Sequence, residues 1–362
     1  LLILIRIHYK IGQMRNPIYN SLFFILFGLI FNSSQGQLNP KNIKFTRQGV
    51  QRMIFDEDQS ITISKLNPEN IIGLASMHPQ KHFLKEHATI ELNQDKLIVK
   101  SQVKTQTKIW LGGFNPFMSY TIDIGSSNGN GAIGYEFSDA DENERFIIKV
   151  IFKDKSIKEV KVNILKNNKV IIDESIGLNI NKVHRVRGKI ILQMLGSGFT
   201  LFHKEKGLPK VIGQSNFNLY LDLRRKKYIN KFQSHVFVSL NNGQVKIKQA
   251  GVEINTGIGL ADIRAITFEN GDPFIEKGRL WYTASIRGRA LPHHIQGVFS
   301  LNPTVFDLRL EGIVVFDRQD GLLRNEIASH LFYDRNENLW RGLTTGFSAY
   351  ANPEKEKKQL LA

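Results

Sequence analysis

The chain has 362 residues, 41% of them hydrophobic and 10% aromatic, which is enough apolar material for two cores. It contains no cysteine, which excludes disulfides, thiolate metal sites and a lipid anchor carried on an N-terminal cysteine. The net charge of +16 would point to nucleic acid if the basic residues formed one stripe, but Lys and Arg are interleaved with Asp and Glu, so no nucleic-acid partner is expected.

The segment from Met14 reads as a secretory signal. Arg15 supplies the positive start, "LFFILFGLIF" (Leu22 to Phe31) is an apolar run too short to span a bilayer, and "SQG" at Ser34 to Gly36 provides small residues for cleavage. Residues 14–36 are therefore expected to be a signal peptide, with an uncleaved anchor as the alternative, and residues 1–13 a non-native upstream segment. The mature chain would then begin near Gln37, carry no integral membrane span, and be exported to the periplasm or the extracellular space.

From residue 37 to 254 the sequence is a succession of short β patterns broken by turn residues. In "KEVKVNILK", Val160, Val162 and Ile164 fall on one face and Lys161, Asn163 and Leu165 on the other. "KNNK" and "LNNGQ" read as hairpin turns, because Asn and Gly tolerate positive φ. Strands at this spacing with polar outer faces predict an all-β fold, an antiparallel β-sandwich of jelly-roll or concanavalin-like type. "GNGAIG" (Gly129 to Gly134) spells a dinucleotide fingerprint, but a strand pattern follows it instead of a helix; a glycine-rich loop between two strands is the expectation, and no cofactor. "RRKKY" at Arg224 to Tyr228 reads as a solvated loop.

At "NTGIGLADIR" (Asn255 to Arg264) the composition shifts toward aromatics and arginine. "PFIEKGRLWYTAS" (Pro273 to Ser285) is echoed by "LFYDRNENLWRGLTTG" (Leu331 to Gly346): an apolar strand, an acidic turn, then Leu-Trp leading a second strand. The echo predicts about two blades of a β-propeller over residues 255–362, or else two unrelated hairpins. Two blades cannot close a propeller, so the unit reads as incomplete.

Candidate functional residues gather in this last unit. His293 and His294 are adjacent, so in a strand they face opposite ways, and no matched carboxylates accompany them; a polar loop or substrate contact is expected of them, and no metal. Ser197 in "GSGF" lies in a strand-turn-strand context unsuited to a nucleophile elbow. Carboxylates remain, and glycosidic hydrolysis needs two of them. Asp262, flanked by Gly259 and Ala261, is either a general base or a structural partner of Arg264, which shares its strand face and is itself expected, with Arg324 and His330, to contact substrate. Asp272 in "NGDP" is a second candidate or simply turn chemistry. Glu269 reads as solvated. Glu326, with Arg324 and His330 close in sequence, is the best partner carboxylate, and Trp281, Tyr282 and Trp340 either stack on sugar rings or pack between blades.

"TGIGLADIRAITFENGDPFIEKGRLWYTASIRG", "HHIQGVFSLNPTVFDLRLEG" and "DGLLRNEIASHLFYDRNENLWRGLTTGFS" together resemble the opening blades of the five-bladed β-propeller glycoside hydrolases, the family 43 and family 32 group, in exported forms with an accessory β-sandwich. The resemblance covers about Asn255 to Ala362. It implies a first-blade aspartate as general base, a second carboxylate that tunes the acid, and a third-blade glutamate as the acid. Asp262 matches the first position and Glu326 is a counterpart of the second, while the group's Asp-Pro pair falls instead at Asp272-Pro273, so the base stays open between Asp262 and Asp272. The third blade would lie beyond Ala362. The expected function is an exported glycoside hydrolase of inverting type acting on plant or microbial polysaccharide, in a fragment without its acid; the alternatives are a non-catalytic carbohydrate-binding protein and a structural envelope protein.

Overall fold

The computed structural model describes residues 43–46, 51–54, 80–93, 96–182, 185–291, 294–317 and 321–345. The upstream segment, the signal-peptide region, His293 and the C-terminal end lie outside the described residues. In chain order the strands begin with β1 (Ile43–Thr46), β2 (Gln51–Ile54), β3 (Gln80–His82), β4 (Thr89–Asn93), β5 (Lys96–Ser101), β6 (Thr105–Gly113), β7 (Met118–Ser138), β8 (Glu144–Lys153), β9 (Ser156–Lys166) and β10 (Lys169–Ser175). They continue with β11 (Gly188–Leu195), β12 (Gly198–Lys204), β13 (Lys210–Asn216) and β14 (Gln233–Ile254), then β15 (Gly259–Ala265), β16 (Thr267–Phe268), β17 (Ile275–Glu276), β18 (Arg279–Arg287) and β19 (His294–Asn302). The last are β20 (Asp307–Asp317), β21 (Leu323–Arg324), β22 (Ile327–Asp334) and β23 (Leu339–Thr345). The only α-helical turn among the described residues is α1 (Lys226–Ile229), and no described helix is long and apolar enough to cross a membrane.

Thirteen strands form a β-sandwich organised by two very long strands, β7 and β14, which pair antiparallel over nearly their whole length. The later half of β7 and the earlier half of β14 build one layer with β8, β9, β10, β6 and β3. Their other halves build the second layer with β11, β12, β13, β5, β4 and β2. The register between them slips at Asn241/Gly243 and Ile247/Gln249, where β14 carries an extra residue, and at Lys246/Ile247, where β7 carries one at Gly125, and these slips mark the bend between the layers. Each bulge shifts the inward-facing set of the strand that carries it by one residue. The core set of β14 accordingly runs Val236, Val238, Leu240, then Val245, Ile247, then Ala250, Val252. In β7 it changes from Tyr120, Ile122, Ile124 to Ile133, Tyr135, Phe137.

The glycines of "GNGAIG" have their explanation here. They lie inside a continuous strand rather than in a loop. Gly129 sits at φ +67, where a Cβ would lie 2.0 Å from the Asn242 carbonyl oxygen; a Cβ on Gly134 would lie 2.0 Å from that of Ile148. "LNNGQ" is likewise a bulge within β14, with Asn242 at φ +53, and not a hairpin turn. Both had turn chemistry because a bulge and a turn require the same backbone conformation. "KNNK" is the expected turn, with Asn167 and Asn168 both at positive φ between β9 and β10. The inward set Val160, Val162 and Ile164 is buried as the alternation predicts. "RRKKY" departs from a solvated loop: Arg224 is buried against Asp222, and Lys226 to Tyr228 enter α1.

Four strands, β15, β18, β19 and β20, form an antiparallel meander, extended by β17, β21 and β1. β1, expected within the sandwich, pairs with β20 instead. One face of the meander packs on the sandwich through Ala284, Ile286, Ile295 and Phe299 against Phe117 and Leu195. Asn255 is fully buried at this seam and donates its Nδ2 to the Met194 carbonyl at 2.6 Å. The opposite face is covered by the small sheet β16-β22-β23. The sequence echo becomes two hairpins, β17-β18 and β22-β23, whose Trp281 and Trp340 both pack on Phe274.

Two buried polar devices hold the layers. The Tyr135 hydroxyl, in one layer, reaches across the core to the carbonyls of Tyr120 at 2.8 Å and Ile190 at 2.6 Å in the other. On the outer side, Glu136 is fully buried and accepts two hydrogen bonds from Arg145, with Lys108 3.4 Å away and the Phe83 ring stacked on the Arg145 guanidinium. Beside this cluster, burial and then the Lys108 charge push the His235 imidazole down to about 3.

Tyr135→Phe keeps the ring and loses the cross-layer bond, so it should lower unfolding stability by about 1–2 kcal/mol in chemical denaturation. His235 binds a proton readily when unfolded and reluctantly when folded. Its contribution is therefore fully present above about 6.5 and is lost as pH falls toward about 3. A His235→Gln variant should show a flatter decline of melting temperature than the parent over that window.

Candidate functional site

The carboxylates expected to act together have different surroundings. Asp262 lies in β15 at φ +51, where the register with β18 slips between Ala261 and Arg264. The bulge breaks the two-residue alternation, so Asp262 and Arg264 do not pair as expected; Arg287 of the neighbouring strand donates its Nη2 to Asp262 at 3.2 Å. The Asp262 side chain is 37% exposed, and Arg264 is exposed. Asp272 accepts from the Asn270 side-chain amide at 2.7 Å, and its own N–H donates to Asn270 Oδ1, which is local turn chemistry. Glu269 is not simply solvated. It accepts from the Arg335 backbone and guanidinium, an arrangement that pulls its carboxyl down to about 2 and ties β16 to the β22-β23 turn.

Glu326 is only 1% exposed, and Arg324, Asn325 and His294 are buried with it. Asn325 donates its Nδ2 to the His294 carbonyl at 2.7 Å, so the β21-β22 connection is stitched to β19. The seam continues with Ser329 N–H to Gln296 Oε1 at 3.0 Å and Thr283 Oγ1 to the Ser329 carbonyl at 2.6 Å. Ala328, inside this seam, sits at φ +56 and donates its N–H to Ser285 Oγ. The structure thus gathers His294, Arg324 and Glu326 in the protein interior and leaves Asp262, Arg264 and Asp272 on the surface. His330 is partly buried, its ring tilted against Phe332. Trp281 and Trp340 pack around Phe274, and Tyr282 packs toward the sandwich, the packing alternative for all three.

A cleft lined mainly by side-chain amides lies on the sandwich at the β7-β14 bend, with a volume of about 660 Å³; the one charged side chain in its lining, Lys100, is paired with Glu91 at 2.6 Å. Asn128, Asn242 and Gln244 come from the bend itself, Gln102 and Val103 from the β5-β6 turn, and His87 and Thr89 from the start of β4. The bend can present these amides side by side because Gly129 lets the two backbones approach, as described above. The Ser101 hydroxyl donates to the Val103 carbonyl at 2.9 Å and shapes the turn. The His87 ring stacks on His82 at 4.2 Å, and His82 is held in turn by Thr107. Side-chain amides, hydroxyls and an imidazole offer both donors and acceptors, while Val103, 47% exposed, adds an apolar contact. These residues escaped the sequence reading because they are far apart in the chain. The available signal was the pair of Asn-Gly stretches, "SSNGNG" and "LNNGQ", which pair with each other across the bend.

No protein-family model matches the sequence, and no curated relative matches it. Among solved structures, β-agarase B from Zobellia galactanivorans is similar at 8% identity over 58% of this chain and 94% of that one, with a TM-score of 0.36. A carbohydrate-binding module from Bacillus subtilis is similar at 14% identity over 48% of this chain and 94% of its own, with a TM-score of 0.30. A Bacillus subtilis protein of unknown function with a galectin-like fold is similar at 8% identity over 58% and 98%, with a TM-score of 0.36. Values this low say nothing finer than a general likeness of β architecture; the sandwich itself is read from the strand pairing.

Proposed function

We propose that this protein is an exported carbohydrate-binding protein whose β-sandwich, formed by β2 to β14, grips glycan at the amide-lined cleft. The observation that carries the reading is the convergence of Asn128, Asn242, Gln244 and Gln102 on one cleft beside a stacked histidine and an exposed valine. Vicinal sugar hydroxyls are matched by groups that donate and accept at once, and an apolar contact suits the C–H face of a ring. Export rests on the signal pattern of residues 14–36, with the periplasm or the extracellular space as the destination.

The second reading is a glycoside hydrolase of the propeller type, with residues 255–362 as an incomplete propeller. It is supported by the four-strand meander with a second sheet stacked on its face, and by Asp262 exposed on the first strand of that meander. In this reading Asp262 is the general base and Arg287 takes the pairing first expected of Arg264. Glu326, buried, would act only through its neighbours and without touching substrate. Binding is preferred because the expected carboxylate pair is divided between the surface and the interior.

Chromatography on immobilised polysaccharides beside a reducing-sugar assay separates the readings. Retention without released sugar is the expected outcome; release that disappears in Asp262→Asn would replace binding by hydrolysis. For the retained glycan, the double variant Asn128→Ala/Gln244→Ala should weaken affinity by about tenfold or more in calorimetry. Asn242 is left in place because its positive φ is part of the bend.

A further inference from the structure

A second cleft on the sandwich, of about 410 Å³, is far more densely charged. Arg185, Arg187, Lys189, Lys204, Lys206 and Lys248 line it, and only Asp123 and Glu205 oppose them. The cations are not a loose surface scatter. Val186, 1% exposed, is plugged into the core between the two arginines; its N–H donates to the Lys155 carbonyl at 2.7 Å and its carbonyl accepts from Ser127 Oγ at 3.0 Å. The arginines on either side are therefore turned outward from a fixed point. The Arg187 carbonyl is held 2.7 Å from the His203 ring. Gly188 sits at φ +87, where a Cβ would lie 2.4 Å from the Lys204 carbonyl oxygen, so glycine lets the arginine segment approach β12.

Lys189 and Lys204 are direct cross-strand partners. Like charges directly opposite each other in a ladder destabilise it. The nearest compensation is Asp123, Lys189's partner on the other side, whose carboxylate also lies 3.9 Å from Lys248. A bound anion would relieve this repulsion, which gives the arrangement a use. None of the lining residues is aromatic, so the cleft lacks the stacking platform of a single-stranded nucleic-acid groove.

We propose that this cleft binds the sulfate or carboxylate groups of an anionic polysaccharide. The proposal rests on the carbohydrate-binding reading of the sandwich and assigns the charge class of its ligand. Arginines supply forked donors that match the planar or tetrahedral oxyanion, and the lysines add charge at shorter range.

The test measures binding of dextran sulfate, polygalacturonate and uncharged dextran to the full chain by calorimetry at low and high salt. The two anionic polymers should bind more tightly than dextran and weaken as salt screens the contact. Arg187→Ala/Lys189→Ala/Lys204→Ala should lose about tenfold or more on the anionic polymers. A control, Lys169→Ala/Lys231→Ala/Lys277→Ala, removes the same charge from exposed sites elsewhere and should bind as the parent does. Thermal melting of both variants near the parent value shows that the losses are not unfolding. Equal losses in the two triple variants would overturn the proposal, as would tighter binding of a DNA duplex or of phosphatidylserine vesicles than of either anionic polymer. Neutral glycan binding that depends on Asn128 and Gln244, with no preference for the anionic polymers, would sink this proposal and leave the carbohydrate reading standing. Retention on no polysaccharide at all would remove both.

Discussion

The continuous antiparallel ladder between β7 and β14 is the constraint on which the sandwich depends. Each strand serves both layers, so the two sheets are halves of one bent ribbon as well as partners across a core. Bending such a ribbon costs regular pairing, and the cost is met at glycines and asparagines that accept positive φ. Gly129 against the Asn242 carbonyl is the tightest of these approaches. The bend then fixes which residues face inward, since each slip in register exchanges the two faces. Tyr135 completes the arrangement by bonding across the core to backbone of the opposite layer.

Both clefts follow from this ribbon. The amide-lined cleft lies at the bend, where Asn128 and Gln244 line it beside the close backbone approach. The basic cleft lies farther along the same strands, at Asp123 and Lys248, about 17 Å along β7 at the usual rise of an extended strand. One ladder thus carries both the amide-lined cleft and the basic cleft.

The meander and its covering sheet follow a different logic. Apolar residues fill the face toward the sandwich, whereas the face toward β22 combines apolar residues with a row of buried polar ones, Thr283, Ser285, Gln296 and Ser329. A buried polar layer is tolerable because its members bond to one another: Ser329 to Gln296, Thr283 to Ser329, Asn325 to His294. Such bonds are directional, so they fix how the small sheet sits on the meander. Glu326 and Arg324 lie in this interior, and their sequence neighbourhood did not show it, because buried structural charge and catalytic charge use the same residue types.

The all-β class, the alternation of Val160, Val162 and Ile164, the Asn167-Asn168 turn and the two Leu-Trp hairpins were legible in the sequence because each depends on residues close together in the chain. The turn residues of "GNGAIG" and "LNNGQ" were legible too, but their meaning was not. A positive φ is a local property, whereas its use in a bulge instead of a loop depends on a partner strand over a hundred residues away. The same limit hid Arg287 as the partner of Asp262, the burial of Glu326, and both clefts. Local chemistry decides which conformations a residue can adopt; long-range pairing alone decides which side chains meet.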